Sequence, residues 1–300
     1  MSEITRRLHQ ALQPYHWKFA SMLPLPARRH YLHTAATRRL GNFRTPTRFT
    51  EKVNWRIIND RRPIIAEMSD KLRAKEIARE RVPGDELRIP QTYWSGTDLA
   101  EAPELSTLGP WVLKPNNGSG RVVFGPEGLD AATLPDRIDG WVDSDQADVL
   151  GEWGYQFARP ILILEERIPM PECGDLKDYK FFVFDGVPRV IQVNARRHTD
   201  SPRATFFDTD WNRFDVRWEA IAPDPDEPRP QNLAKMLDLA SRLSDGMDML
   251  RVDLYSVGDD VWFGEYTPYP CGGTSRYSPR SFDVEFGAKW TLPPLDAIRS

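Results

Sequence analysis

One stretch limits what this chain can become. It runs Arg251-Val-Asp-Leu-Tyr255, then the turn Gly258-Asp-Asp260, then Val261-Trp-Phe-Gly-Glu-Tyr-Thr267. Two apolar runs that alternate with period two on either side of a Gly/Asp turn predict a β-hairpin. With Gly258, Asp259 and Asp260 as a three-residue loop, Val257 pairs with Val261, Asp253 with Glu265, and Arg251 with Thr267. Alternate residues of a strand share a face, so all of these side chains lie on one side of the sheet. Two carboxylates directly opposite each other repel. Two readings are open: a surface hairpin with both carboxylates solvated, or a pair held by a divalent cation. Mg²⁺ takes oxygen ligands, commonly one or two carboxylates plus phosphate oxygens. A loop one residue longer or shorter would put Asp253 and Glu265 on opposite faces.

The 300 residues are enough for one large domain or two smaller ones. No apolar run approaches the length of a transmembrane helix. The N-terminal residues show no signal-peptide pattern, and Cys173 and Cys271 are too far apart in sequence for a zinc spacing. The expected compartment is the cytoplasm. His30 and His33 form an HxxH pair that reads as ordinary helix surface. Charge is uneven: residues 1–62 hold thirteen Lys/Arg against three Asp/Glu, although the whole chain is at −4. Such a segment faces an anionic substrate, a membrane surface or the acidic body of the protein itself. No RNP-like or zinc-finger pattern points to nucleic acid.

Residues 3–40 read as helix broken by Pro14, Pro24 and Pro26. A second helix starts at Phe49 with Thr50 as N-cap, and a third at Ser69 with Ser69 or Asp70 as cap. Residues 89–94 read as a short edge strand. Trp111 to Phe124 reads as strand, glycine-rich loop, strand. Lys114 ends the first strand, and Asn116 to Gly120 form a loop rich in backbone N–H groups that suits phosphate. It matches neither a Walker A motif nor a dinucleotide-binding fingerprint, and a plain hairpin turn is the alternative. Residues 160–168 form an apolar strand ending in Glu165 and Glu166. A hairpin over 176–193 turns at Asp185-Gly186, a type I′ signal. Lys180 lies among its phenylalanines, where it snorkels or has a partner. Arg196, Arg197, His198 and Arg203 follow in a polar loop, either solvated or a site for an anionic substrate group. A Pro- and acid-rich connector at 222–230 leads to a helix over 232–244 with Leu233, Met236, Leu237, Ala240 and Leu243 on one face. The glycine-rich turn 269–274 holds Cys271, a nucleophile by position with no base near it in sequence.

The order of these motifs resembles the ATP-grasp superfamily. It is carried by Phe49-Thr-Glu-Lys, Ser69-Asp-Lys, Leu113-Lys-Pro-Asn-Asn-Gly-Ser-Gly, Asp178-Tyr-Lys-Phe-Phe, Ile191-Gln-Val, Arg251-Val-Asp-Leu-Tyr and Phe263-Gly-Glu-Tyr-Thr-Pro-Tyr-Pro. More narrowly it resembles the TupA-like ATP-grasp proteins, which are linked to teichuronopeptide and other surface-polysaccharide assembly. The resemblance covers roughly residues 45–295. It implies an α+β ATP-grasp fold, two α+β subdomains clasping ATP. Residues 1–68 would be a basic helical segment, 69–164 the subdomain with the glycine-rich lid loop, and 165–300 the subdomain with the metal hairpin.

The resemblance also implies roles. Lys114 and Lys180 match nucleotide-contacting lysines, and Asn117, Gly118, Ser119 and Gly120 match the lid loop. Glu165 and Glu166 match the hinge strand that reads adenine and ribose. Asp253 and Glu265 match Mg²⁺ ligands, with Thr267 where many relatives carry an Asn ligand. Arg251 matches the arginine that steadies the transferring phosphoryl group. Arg197, Arg203 and Arg276 are candidates for substrate. The implied activity is an ATP- and Mg²⁺-dependent carboxylate–amine ligase acting through an acyl phosphate on small carboxylate and amine substrates. The alternatives are an ATP-grasp phosphotransferase, a glycosyltransferase-like polysaccharide biosynthesis protein, and a nucleotide-binding scaffold.

Overall fold

The computed structural model of the chain describes residues 16–118, 120–129, 133–143, 149–172, 174–196 and 199–298. The expectations for Ser119, Arg197, Cys173, His198 and the first fifteen residues lie outside these. The architecture is α+β, built on two antiparallel sheets. The smaller has the order β1-β4-β2-β3, from β1 (Thr92–Gly96), β2 (Trp111–Pro115), β3 (Val123–Gly125) and β4 (Leu162–Glu166). The larger has the order β10-β9-β5-β6-β7, from β5 (Asp178–Phe184), β6 (Val187–Ala195), β7 (Arg203–Phe207), β9 (Met249–Val257) and β10 (Asp260–Thr267). A two-stranded pair joins β8 (Arg217–Trp218) to β11 (Tyr277–Ser278). No helix of the described residues is long and apolar enough to cross a membrane.

The main core lies on the large sheet. Phe181, Val183, Val252, Leu254 and Phe263 cluster with apolar residues of the helices Phe49–Asn59, Lys71–Arg81, Leu233–Leu243 and Ser281–Ala288. In Leu233–Leu243 the buried stripe is Leu233, Met236, Leu239, Ala240 and Leu243, with Leu237 only partly covered. The small sheet has its own cluster around Trp111, Leu113, Val123, Leu134, Leu162 and Leu164.

Helix ends follow local chemistry. Asp70, not Ser69, caps Lys71–Arg81, accepting from the amides of Leu72 and Arg73, each at 3.0 Å. Thr50 does not cap its helix, because its hydroxyl donates to Asp283 at 2.8 Å. Glu51 does the capping, accepting from the amides of Thr47 and Arg48 at 3.1 Å each. The predicted turn at Asp185-Gly186 is observed, with φ of 48° and 76°, the left-handed values a type I′ turn requires. His33, read as surface, is buried and lies 3.4 Å from the Thr50 hydroxyl.

Several arginines of the basic N-terminal segment turn inward. The Arg56 guanidinium pairs with Asp248 at 2.7 Å and Arg62 with the same carboxylate at 2.5 Å. Arg29, fully buried, donates to Asn54 Oδ1 and the Leu150 carbonyl, both at 2.8 Å, and to the Gly272 carbonyl. Arg56 and Arg62 thereby tie the segment to an acidic residue of the body of the protein, and Arg29 ties it to backbone carbonyls.

Candidate active site

The hairpin reaches the expected pairing by an unexpected route. Asp260 pairs with Val257, so the loop has two residues, Gly258 and Asp259, not three. The shorter loop shifts the register by one residue through Phe263↔Leu254. A β-bulge at Gly264 then restores it, and Glu265 pairs with Asp253 and Thr267 with Arg251. A bulge places one extra residue on one strand, and here it returns Glu265 to the face of Asp253. A Cβ at position 264 would lie 2.9 Å from the Asp253 carbonyl oxygen and 2.9 Å from the Tyr255 ring. Glycine is what allows the two strands to approach there.

Across the sheet, Lys180, Asp253 and Glu265 form a row on three neighbouring strands, β5, β9 and β10. Lys180 has partners: its ammonium bonds Asp253 and lies 2.7 Å from Asp178. Arg251 donates to Asp253 through Nε at 2.7 Å and Nη2 at 2.8 Å, and Nη2 reaches Glu265 at 2.9 Å. The Thr267 hydroxyl donates to Glu265 at 3.2 Å. One guanidinium thus offsets the repulsion between the two carboxylates. Asp253 is enclosed, yet Arg251 and Lys180 outweigh the effect of burial and hold its carboxyl below the usual range. The same carboxylates keep Arg251 charged despite its burial.

The small sheet and its helix bring a second set of charges. Glu165, buried on β4, lies 2.5 Å from both Lys114 of β2 and Lys75. Burial opposes its charge, but the two ammonium groups hold its carboxyl below the usual range. Lys71, at the start of its helix, donates to the carbonyls of Asn116 (3.0 Å) and Gly118. Asn116 in turn donates to Asp70 at 2.8 Å and to the Arg159 carbonyl at 3.0 Å. The first half of the glycine-rich loop is therefore anchored to the helix start. Enclosure by the cleft walls lowers Lys71 to about 8, with Lys114 adding to the effect and Glu265 opposing it.

These two sets face one cavity of about 390 Å³. Its walls include Lys71, Lys75, Lys114, Gly118, Gly120, Lys180, Arg251, Glu265 and Thr267. Glu166 lies outside that wall; its carboxylate accepts from the Gln91 amide at 3.1 Å. Arg203 sits on β7, and Arg276 pairs with Glu219 at 3.2 Å beside a separate cavity lined also by Arg38, Arg39 and Arg280. Sequence reading gave no role to Lys71 and Lys75, which the structure puts in the cleft. Their i, i+4 spacing on a predicted helix places both on one face, and that was the available signal.

Among the described residues no three His, Cys, Asp or Glu side chains form a metal cage. The donors Asp253, Glu265 and Thr267 are nonetheless hard oxygens, the type Mg²⁺ prefers, and phosphate oxygens commonly complete such a shell. The Glu265 side chain is 42% exposed, whereas Asp253 is closed beneath Arg251 and Lys180. Glu265 and Thr267 fit the ion as oxygen donors on the cavity wall, with Asp253 bonded to Arg251 and Lys180 behind them.

Solved structures similar to this chain include a D-alanine–D-alanine ligase from Bacillus anthracis complexed with ATP. It is 17% identical over 67% of this chain and 54% of that one, with a TM-score of 0.39. The ATP-grasp ligase PsnB complexed with minimal precursor is 14% identical over 69% of this chain and 54% of that one, at a TM-score of 0.39. The D-alanine–D-alanine ligase from Helicobacter pylori is 13% identical over 75% and 61%, at 0.42. The chain thus spans little more than half the length of the first two. No curated protein shows significant similarity to the sequence. The family model described as TupA-like ATPgrasp matches residues 51–291. With four-fifths of its length in that match, the chain belongs to the TupA-like ATP-grasp family.

Proposed function

We propose that the protein is an ATP- and Mg²⁺-dependent carboxylate–amine ligase that works through an acyl phosphate. One observation carries the reading: the cleft gathers Lys71, Lys75, Lys114, Lys180 and Arg251 around a space that also exposes Glu265. Five cations around one cavity suit a polyphosphate, whose charge they neutralise as it redistributes in phosphoryl transfer. A substrate carboxylate oxygen attacks the γ-phosphorus and ADP leaves. An amine then attacks the acyl carbon, the C–N bond forms, and phosphate departs. Asp253, Glu265 and Thr267 would hold Mg²⁺, which would supply positive charge to the transferring phosphoryl group. Lys114 and Lys180 hold phosphate oxygens, and Arg251 steadies the group in transfer. Asn117, Gly118, Ser119 and Gly120 cover the phosphates and keep water from the acyl phosphate. Glu165 orients Lys75 and Lys114 beside the nucleotide, and the β4 backbone through Glu166 receives the base.

The acid is proposed to be an amino acid or a uronic-acid glycan, in keeping with the surface-polysaccharide link of the family. Arg203, Arg276 and Arg197 are proposed to meet its anionic groups. Phosphorus NMR of a turnover mixture tests the reaction class. The ligase reading expects ADP and inorganic phosphate in equal amounts, together with an amide. A stable phosphorylated product with no free phosphate would contradict it.

A further inference from the structure

One carboxylate in the cleft has no part in the chemistry above. Glu152 lines the cavity next to Leu150, Tyr155, Tyr269, Cys271 and Gly272. It is 8% exposed, and its carboxylate makes no hydrogen bond or ion pair with any described residue. A buried carboxylate without a partner is costly, and a structure retains one where a ligand supplies the partner.

The surroundings are built to hold it there. A Cβ at Gly272 would come 2.9 Å from Glu152 Oε1, so the carboxylate rests against that glycine's α-carbon. Cys271, Gly272 and Gly273 are all left-handed, with φ of 49°, 55° and 62°. Arg29 fixes both sides of the carboxylate by binding the Leu150 and Gly272 carbonyls through Nη1 and Nη2, and its Nε donates to Asn54. The guanidinium thus braces the backbone around Glu152 without bonding its oxygens. The facing groups are Arg29 from the helix Leu25–Thr37, Tyr155 from its own turn, and Tyr269 and Cys271 from the segment after β10. Burial raises both phenols, so neither carries charge at neutral pH. Burial also pushes the Glu152 carboxyl up to about 7, with Arg29 offsetting only part of the rise.

We propose that Glu152 is the catalytic group that receives the amine substrate: it binds the ammonium in the cleft and removes one proton before attack. The proposal rests on the ligase reading and names the partner of that site. An ammonium has no lone pair. Proton transfer from R–NH₃⁺ to the Glu152 carboxylate leaves neutral R–NH₂ and a carboxylic acid. The amine lone pair attacks the acyl carbon, the carbon–oxygen bond to phosphate breaks, and phosphate takes the second proton. A proton acceptor with a pKa near the working pH suits this exchange.

Hydroxylamine separates the proton-removal role from all others, because it is uncharged at neutral pH and needs no base. The assay supplies glutamate or glucuronate as the carboxylate with either hydroxylamine or glycine as the amine. It compares wild type, Glu152→Gln and Glu152→Asp. Glu152→Gln is expected to keep hydroxamate formation within about threefold while losing amide formation by about 100-fold or more. Glu152→Asp should recover part of the amide rate. Equal loss of both products would assign Glu152 a structural role and overturn the proposal, as would loss of neither. Failure of wild type to form either product with ATP would break the ligase reading first, and the proposal with it. A second measurement needs no turnover: the infrared carboxyl band that Glu152→Gln removes should titrate with a midpoint of about 7. A midpoint at the ordinary glutamate value would overturn the proposal.

Discussion

The two sheets face the cleft with different kinds of charge. On the large sheet two cations, Lys180 and Arg251, balance two carboxylates, Asp253 and Glu265, and each is bonded to a neighbour within the sheet. Behind them lies the main core, with helices packed on β5, β6 and β9. The small sheet presents Lys114, joined by Lys71 and Lys75 from the helix below, against the single carboxylate Glu165. Its core is a small cluster centred on Trp111 and Leu113. Few buried apolar contacts mark the regions of a protein that open first. In the proposed reaction the sheet with the larger core would hold the reacting charges, and the sheet with the smaller core would bring further positive charge to the phosphates.

The largest effect that can break this comparison is on the large sheet. Replacing Asp253 with Asn leaves Arg251 and Lys180 buried without their shared anion, and removal of one partner of a buried pair costs about 3–5 kcal/mol. Glu265→Gln, at the exposed end of the same row, should cost no more than about 1 kcal/mol. Urea denaturation of the two variants checks this, and equal midpoints would show that Asp253 is not the anchor of the array.

Next in size is a change in the small core. Leu113→Ala removes a fully buried side chain and should cost about 3 kcal/mol. Hydrogen exchange should then speed up in β2 and β4 while β5 and β9 keep their protection. A uniform increase over both sheets would mean that they open as one unit.

The smallest effect concerns Lys71. Its pKa of about 8 lies below that of an ordinary lysine, so it is charged below pH 8 and neutral above. ATP affinity should therefore weaken from pH 7 to pH 9, by about tenfold if one ammonium–phosphate contact worth about 1.4 kcal/mol is lost. Lys71→Arg, which stays charged, should flatten the profile in a calorimetric titration. A wild-type profile equally flat would remove Lys71 from the phosphate site.

Much of the fold was legible because period-two strands, the Asp185-Gly186 turn and the amphipathic helix near the end of the chain are local signals. The row of Lys180, Asp253 and Glu265 was legible for a less direct reason. The expected three-residue loop is one residue shorter, and the bulge at Gly264 restores the lost residue. A lone glycine inside a strand pattern is the known signal for a bulge, and Gly264 carried it. What stayed hidden depends on distance along the chain. Glu165 reads only as the end of an apolar strand, and the fold alone brings Lys75 and Lys114 to it. Glu152 sits in a segment with little pattern, and its isolation follows from Arg29 and Gly272, more than a hundred residues away on either side. His33 reads as surface until the helix Phe49–Asn59 covers it.

The proposed reaction transfers the γ-phosphate of ATP to a carboxylate in this cleft, with Asp253 anchoring the wall residues Arg251 and Lys180. Its most direct test is ADP release from Mg·ATP against a panel of amino acids and uronic acids, wild type beside Asp253→Asn, with circular dichroism to confirm that the variant is folded. Wild type should release ADP in an acid-dependent manner on at least one member of the panel, at a rate about 100-fold or more above that of the variant. Release by wild type no faster than by folded Asp253→Asn on every acid would contradict it.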